Sequence, residues 1–154
     1  MNNNDILRRL RYIFDLNDAK MIELFGAGNL EVTRAEVSNW LKKEEEEYYQ
    51  EIYDKQLAAF LNGFIIEKRG KREGDQPVAE KSLNNNTIFR KLKIALNLQD
   101  DDILDILDLA GLRFGKHELS AFFRNPNQSQ YRPCKDQVLR NFIYGLQLKY
   151  RDKI

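Results

Sequence analysis

Residues 2–66 and 84–148 repeat one another at a constant offset of 82 positions, without a gap. The opening run Asn2-Asn3-Asn4-Asp5-Ile6-Leu7-Arg8-Arg9-Leu10-Arg11 returns as Asn84-Asn85-Asn86-Thr87-Ile88-Phe89-Arg90-Lys91-Leu92-Lys93. Further on, Leu16 falls on Leu98, Asp18 on Asp100, Glu36 on Glu118, Trp40 on Phe122, Tyr49 on Tyr131, Asp54 on Asp136, Phe60 on Phe142 and Gly63 on Gly145. Shared helical patterning would bring apolar residues into step. It would not also align Asn, Asp, Tyr and Gly, so the register marks an internal duplication.

Within each copy the apolar spacing is helical. Ile6, Leu7, Leu10, Ile13 and Phe14 recur at i, i+3, i+4 and predict a first helix, with Asn3 or Asn4 as its N-cap. Asp18 is expected to cap a second helix carrying Met21, Ile22, Leu24 and Phe25, ended by Gly26-Ala27-Gly28-Asn29. Thr33 and Glu36 have capping-box spacing ahead of a third helix with Val37, Trp40 and Leu41. Leu57, Phe60, Leu61 and Phe64 mark a fourth, and Leu139, Phe142, Ile143 and Leu146 repeat it. Glu44 to Glu47 would extend helix 3 on propensity alone. Their counterparts in the second copy, Asn125-Pro126-Asn127-Gln128-Ser129 and neighbours, have loop chemistry, so residues 44–53 are expected to connect helices 3 and 4.

The expected fold is therefore all-α: two tandem four-helix repeats, 1–66 and 84–150, related by an approximate two-fold axis. The Gly- and Pro-containing segment 67–83 would be the linker. In the second copy the helices are expected near 87–97, 101–109, 117–124 and 136–150. A chain of 154 residues with 42% hydrophobic and 32% charged residues can bury a core. No apolar run approaches the roughly 20 residues of a membrane span. The first residues lack a basic-then-apolar signal pattern, which points to the cytoplasm. One cysteine excludes an internal disulfide. The net charge of +1 divides unevenly, −3 over residues 1–82 and +4 over 83–154.

The opening Asn-Asp-Ile-Leu-Arg, Phe60-Leu61-Asn62-Gly63 with Glu67-Lys68-Arg69-Gly70-Lys71, Asn84-Asn85-Asn86, and Cys134-Lys135-Asp136-Gln137 resemble the YehS-like family of uncharacterised small bacterial proteins over essentially the whole chain. The resemblance implies a bacterial cytoplasmic protein with two tandem copies of one helical domain. It brings no catalytic residue, ligand or partner to carry over.

Catalytic chemistry has little to draw on. His117 and Cys134, each the only one of its kind, fall on different elements, whereas a nucleophile pair needs contact and an orienting group. Asp100, Asp101, Asp102, Asp105 and Asp108 lack the spacing of a calcium loop and suit the start of a helix. Gly26-x-Gly28 follows no strand and precedes no Lys-Ser/Thr, so it is not a phosphate loop. No cofactor, metal site or enzymatic activity is expected.

Binding is the better-supported class. Helices 2 and 3 resemble a helix-turn-helix in outline, but their connection is too long and acidic residues follow the reading helix. Arg8, Arg9 and Arg11 align with Arg90, Lys91 and Lys93, off the apolar stripe, and are the candidate nucleic-acid contacts. The alternative is a protein-interaction adaptor using Glu44 to Glu47 with Tyr48, Tyr49 and Tyr53. A small-molecule sensor with a pocket between the copies comes third. Gly63 and Gly145, beside the core stripe, are expected where another helix crosses too closely for a Cβ.

Overall fold

A computed structural model describes residues 1–154. The chain forms eight α-helices and no strand: α1 Asn3–Ile13, α2 Asp18–Ala27, α3 Arg34–Leu41, α4 Asp54–Arg69, α5 Asn85–Ala95, α6 Asp100–Leu109, α7 Lys116–Ala121 and α8 Asp136–Leu146, continued by a π-helical turn, Gln147–Arg151. They divide into two compact units, Met1–Leu83 and Asn84–Ile154, each holding four helices in the same order. The all-helical duplicated fold expected from the repeat is what the chain adopts.

The helix starts correct three sequence-based expectations. Asn2, not Asn3 or Asn4, caps α1: its side chain accepts the Asp5 N–H while the Asp5 carboxylate accepts the Asn2 N–H at 3.0 Å. Asn17, not Asp18, caps α2. Gln99, not Asp100, precedes α6, and its N–H is taken by Asp102 at 2.7 Å. The error is one or two residues, because a capping side chain sits before the first helical turn and a run of Asn or Asp offers several equivalent starts. Thr33 and Glu36 form the expected capping box. At the end of α2 it is Asn29 that turns left-handed, with φ 71°, while Gly28 stays at φ −81°.

In the first unit Phe25 is the hub. Its ring lies 5.2 Å from Phe60 and 5.3 Å from Trp40. Leu7, Leu10, Met21, Leu24, Val37 and Leu57 complete the core, each 1% exposed or less. In the second unit Leu107 stands where Phe25 would be, and Phe89 stands where Leu7 would be. Phe89 takes over the central contact, 4.3 Å from Phe142. The two copies thus exchange one large and one smaller side chain between the first and second helices of the unit.

Gly63 and Gly145 sit where two helices cross too closely for a side chain. A Cβ on Gly63 would overlap the Leu24 carbonyl of α2, and one on Gly145 would overlap the Ile106 carbonyl of α6. Leu24 and Ile106 are themselves repeat partners, so one crossing is built twice. Gly28 adds a second such contact, against Ala59, in the first unit alone; its counterpart is Ala110. Accordingly α2 packs on α4 more extensively than α6 packs on α8.

Candidate binding surfaces

The Asn triplet is structural, and it positions the loop between the third and fourth helices of each unit. Asn4 is fully buried. Its Nδ2 donates to the carbonyls of Trp40 at 2.9 Å and Gln50 at 2.8 Å. Its Oδ1 accepts the Tyr49 hydroxyl at 3.1 Å and the Ile52 N–H at 3.2 Å. Asn86 does the same in the second unit, to Phe122 at 3.0 Å, Arg132 at 2.9 Å and the Cys134 N–H at 2.8 Å. Asn3 and Asn85 reach the first turn of the fourth helix, bonding Asp54 and Asp136, each at 2.7 Å. One residue caps the helix, one holds the fourth helix, and one pins the loop from inside.

The pinned loops share their backbone hydrogen bonds but differ in charge, and Tyr48 is left-handed where its counterpart Gln130 is not. In the first, the N–H of Glu46 bonds Lys43, that of Tyr49 bonds Glu46, and that of Gln50 bonds Asn39. In the second, Gln128 bonds Asn125, Tyr131 bonds Gln128, and Arg132 bonds Ala121, an identical pattern 82 positions on. Residues 42–53 carry a net −3 and residues 124–135 a net +3. Glu44, Glu45, Glu46, Glu47, Tyr48 and Tyr53 are all exposed, Tyr48 at 71%. Tyr48 also holds φ at 67°, a left-handed conformation that L side chains other than Asn and Asp rarely take. The Lys42 ammonium lies 5.9 Å from its ring centroid. Tyr49 differs from its neighbour. Burial, then the charges of Glu44 and Glu51, push its phenol above the ordinary 10.0, so it stays a neutral donor to Asn4.

The six basic candidates do not form two equivalent faces. Lys91 is buried, 8% exposed, which corrects the expectation that all six lie off the apolar stripe. Its repeat partner Arg9 is exposed. Periodicity around one helix cannot tell which polar flank of that helix another element covers, and the copies differ at that point. Arg8 is half-buried, ion-paired with Asp5, and donates to the Lys42 carbonyl at 2.9 Å at the end of α3. Lys93 pairs with Asp100 at 3.6 Å and lies 4.4 Å from the Phe123 ring centroid. Arg9, Arg11 and Arg90 remain exposed.

The other sequence candidates are accounted for locally. The Cys134 thiol is 4% exposed and pushed up to about 12, chiefly by burial and secondly by Asp136, so it is not a thiolate nucleophile. Its backbone N–H is what Asn86 holds. His117 lies exposed on α7. Asp100 serves Lys93, Asp101 lies 3.5 Å from Lys116, Asp102 closes a capping box and Asp108 lies 3.4 Å from Arg113. No three His, Cys, Asp or Glu side chains converge on a common point. Residues 28–33 separate α2 from α3, longer than a helix-turn-helix turn.

Sequence reasoning missed two concave sites. In the first unit a cavity of about 700 Å³ lies between the end of α2, α4 and residues 76–79, with Lys55, Gln56 and Lys71 on its wall. In the second unit a groove of about 590 Å³ runs along α7. The signal for the groove was available: its rim residues Arg124 and Arg132 replace Lys42 and Gln50.

The family model described as "Protein of unknown function (DUF1456)" matches residues 3–70 and again 85–152, once per copy. The chain is 43% identical over 147 residues to "Uncharacterized protein YehS" of Escherichia coli (strain K12), covering 95% of this chain and 94% of that one. No solved structure matches it. No helix is long and apolar enough to cross a membrane.

Proposed function

The chain belongs to the DUF1456 family, and we propose that it is a non-enzymatic module that binds another protein through the acidic, tyrosine-bearing loop of its first unit, in the cytoplasm of a bacterium. The observation that carries this reading is Tyr48. Its backbone is strained at φ 67° while its ring is 71% exposed. A left-handed non-glycine residue costs roughly 1–2 kcal/mol, and neither burial nor an N-cap role returns it. Strain concentrates where a surface is kept for recognition, and exposed tyrosines serve as rigid contact residues because they have few rotatable bonds. The buried hydrogen bonds of Asn4 hold the loop in one conformation, so little ordering entropy is lost on binding. A basic partner surface complements the glutamates.

The test compares partner capture from the source organism's lysate by the wild type, by Tyr48→Gly and by a chain with Glu44 to Glu47 changed to Gln. Retention of one defined partner by the wild type and its loss from both variants, with helical circular dichroism unchanged, is expected. Equal retention by all three overturns the reading.

Nucleic-acid binding stands second, supported by the exposure of Arg9, Arg11 and Arg90. Three cations in a near-neutral chain create a weak field at a Debye length of about 8 Å. The reading requires anisotropy titrations of DNA or RNA at about 150 mM salt to show binding, and binding that Arg9→Glu with Arg11→Glu abolishes.

A further inference from the structure

The loops before the fourth helix of each unit repeat the same backbone hydrogen bonds and carry opposite charge, although Tyr48 is left-handed and its counterpart Gln130 is not, and the second loop has a groove beside it. The floor of that groove is Phe114, Ala121 and Phe122, and its rim is Arg124, Gln130 and Arg132. Its volume of about 590 Å³ is in the range that accepts one ring and its flanking residues. In the first unit the position equivalent to Arg124 is Lys42 and that equivalent to Gln130 is Tyr48, and the two make a cation–π contact. In the second unit the cation is kept and the aromatic is absent. Glu118, the one carboxylate on the lining, has Oε1 engaged by the Gly115 N–H at 2.9 Å as a helix cap. The Arg132 guanidinium is steadied by the carbonyls of Ser129 at 3.0 Å and Tyr131 at 2.9 Å while its side chain stays exposed. Two arginines on the lining of a groove that also presents Phe114 and Phe122 can recognise carboxylates flanking a ring.

We infer that this groove takes the Glu44–Tyr53 loop of a second copy of the chain, with a tyrosine over Arg124 and the glutamates against Arg124 and Arg132. The inference deepens the protein-binding reading and rests on its view of the loop as a contact surface. The occupant is chosen by complementarity: residues 44–53 carry −5, and residues 124–135, which supply the groove's arginines, carry +3. The contact is heterologous, loop to groove, so it assembles chains head to tail or closes into a reciprocal pair.

The test uses the full chain and sedimentation at low and at physiological salt. The wild type should gain mass with concentration, less so at high salt. Changing Glu44 to Glu47 to Lys makes both loop and groove positive. Changing Arg124 and Arg132 to Glu makes both negative. Each variant alone should stay monomeric, and an equimolar mixture of the two should associate. That rescue cannot come from misfolding of either variant. A wild type that is monomeric at about 1 mM, a concentration at which even weak millimolar association is visible, overturns the inference, as does a mixture that stays monomeric. Monomeric wild type with specific capture of another protein removes only the self-association. Self-association without any other captured partner leaves the inference standing and removes a separate partner.

Discussion

The Oδ1 of Asn86 accepts the backbone N–H of Cys134 at 2.8 Å, and Asn4 holds Ile52 in the same way at 3.2 Å. Both asparagines are 5% exposed or less, and both also donate to two carbonyls of the loop and the helix before it. Replacing either by Ala would leave a buried N–H and carbonyls unmatched, at about 1–3 kcal/mol for each buried group left without a partner. Asn4→Ala and Asn86→Ala should each lower the urea midpoint strongly at unchanged slope. Asn4→Asp should be at least as damaging, since it sets a carboxylate against the Trp40 and Gln50 carbonyls. A midpoint within error of the wild type for Asn86→Ala would show that the network is dispensable.

Glycine positions separate crossing from mere permissiveness. Gly→Ala inside a helix ordinarily gains about 1 kcal/mol. Gly26 in α2 has nothing within 4 Å of an added Cβ, so Gly26→Ala should raise the unfolding midpoint. Gly63→Ala and Gly145→Ala must push α2 and α6 off the fourth helices, at about 1–3 kcal/mol or more, and should lower it. Opposite signs within one protein are the expected result. A gain at Gly63 would mean that the helices separate without loss.

Much of this frame is legible in the sequence because it is written twice. The loop at Glu44 to Glu47 reads as helix until Pro126 appears at the aligned position, and Gly63 reads as a packing glycine because Gly145 repeats it. Two kinds of fact stay hidden. The inward turn of Asn4 and Asn86 is one, since a polar residue beside a helix start is expected to cap it, and here Asn2 and Asn84 already do. The fate of Lys91 is the other. It sits at the same helical angle as the exposed Arg9, and its burial depends on packing that helical spacing does not encode.

Cys134 gives the fold a pH signature. Burial, aided by Asp136, raises its thiol from the ordinary 9.0 to about 12. The folded state therefore holds this proton after the unfolded chain has released it. The resulting stabilisation is complete below pH 9 and is lost as pH rises through the window from about 9 to about 12. Tyrosines and lysines titrate there too, so the informative quantity is the wild-type midpoint minus that of Cys134→Ala. That difference should shrink across the window. In parallel, the thiol should resist iodoacetamide at pH 8 until the chain is unfolded. Rapid alkylation of the native protein would place the thiol at the surface.

Tyr48 links stability to function most directly. Its φ of 67° suits Gly and its ring contributes no buried area to the core. Tyr48→Gly removes the strain of roughly 1–2 kcal/mol, but it adds unfolded-chain entropy and loses the Lys42 contact, each worth up to about 1 kcal/mol. The net change in midpoint should be small, from zero to a modest gain. Changing Glu44 to Glu47 to Gln should likewise raise stability slightly at low salt by relieving repulsion, with the gain gone at about 1 M salt, where the Debye length is about 3 Å. Binding should respond in the opposite sense, with both variants weakened. A loop kept only as a connection would gain stability from these changes and lose nothing. A loop kept for contact should gain stability and lose its partner, and thermal unfolding beside a binding isotherm on the same samples distinguishes the two.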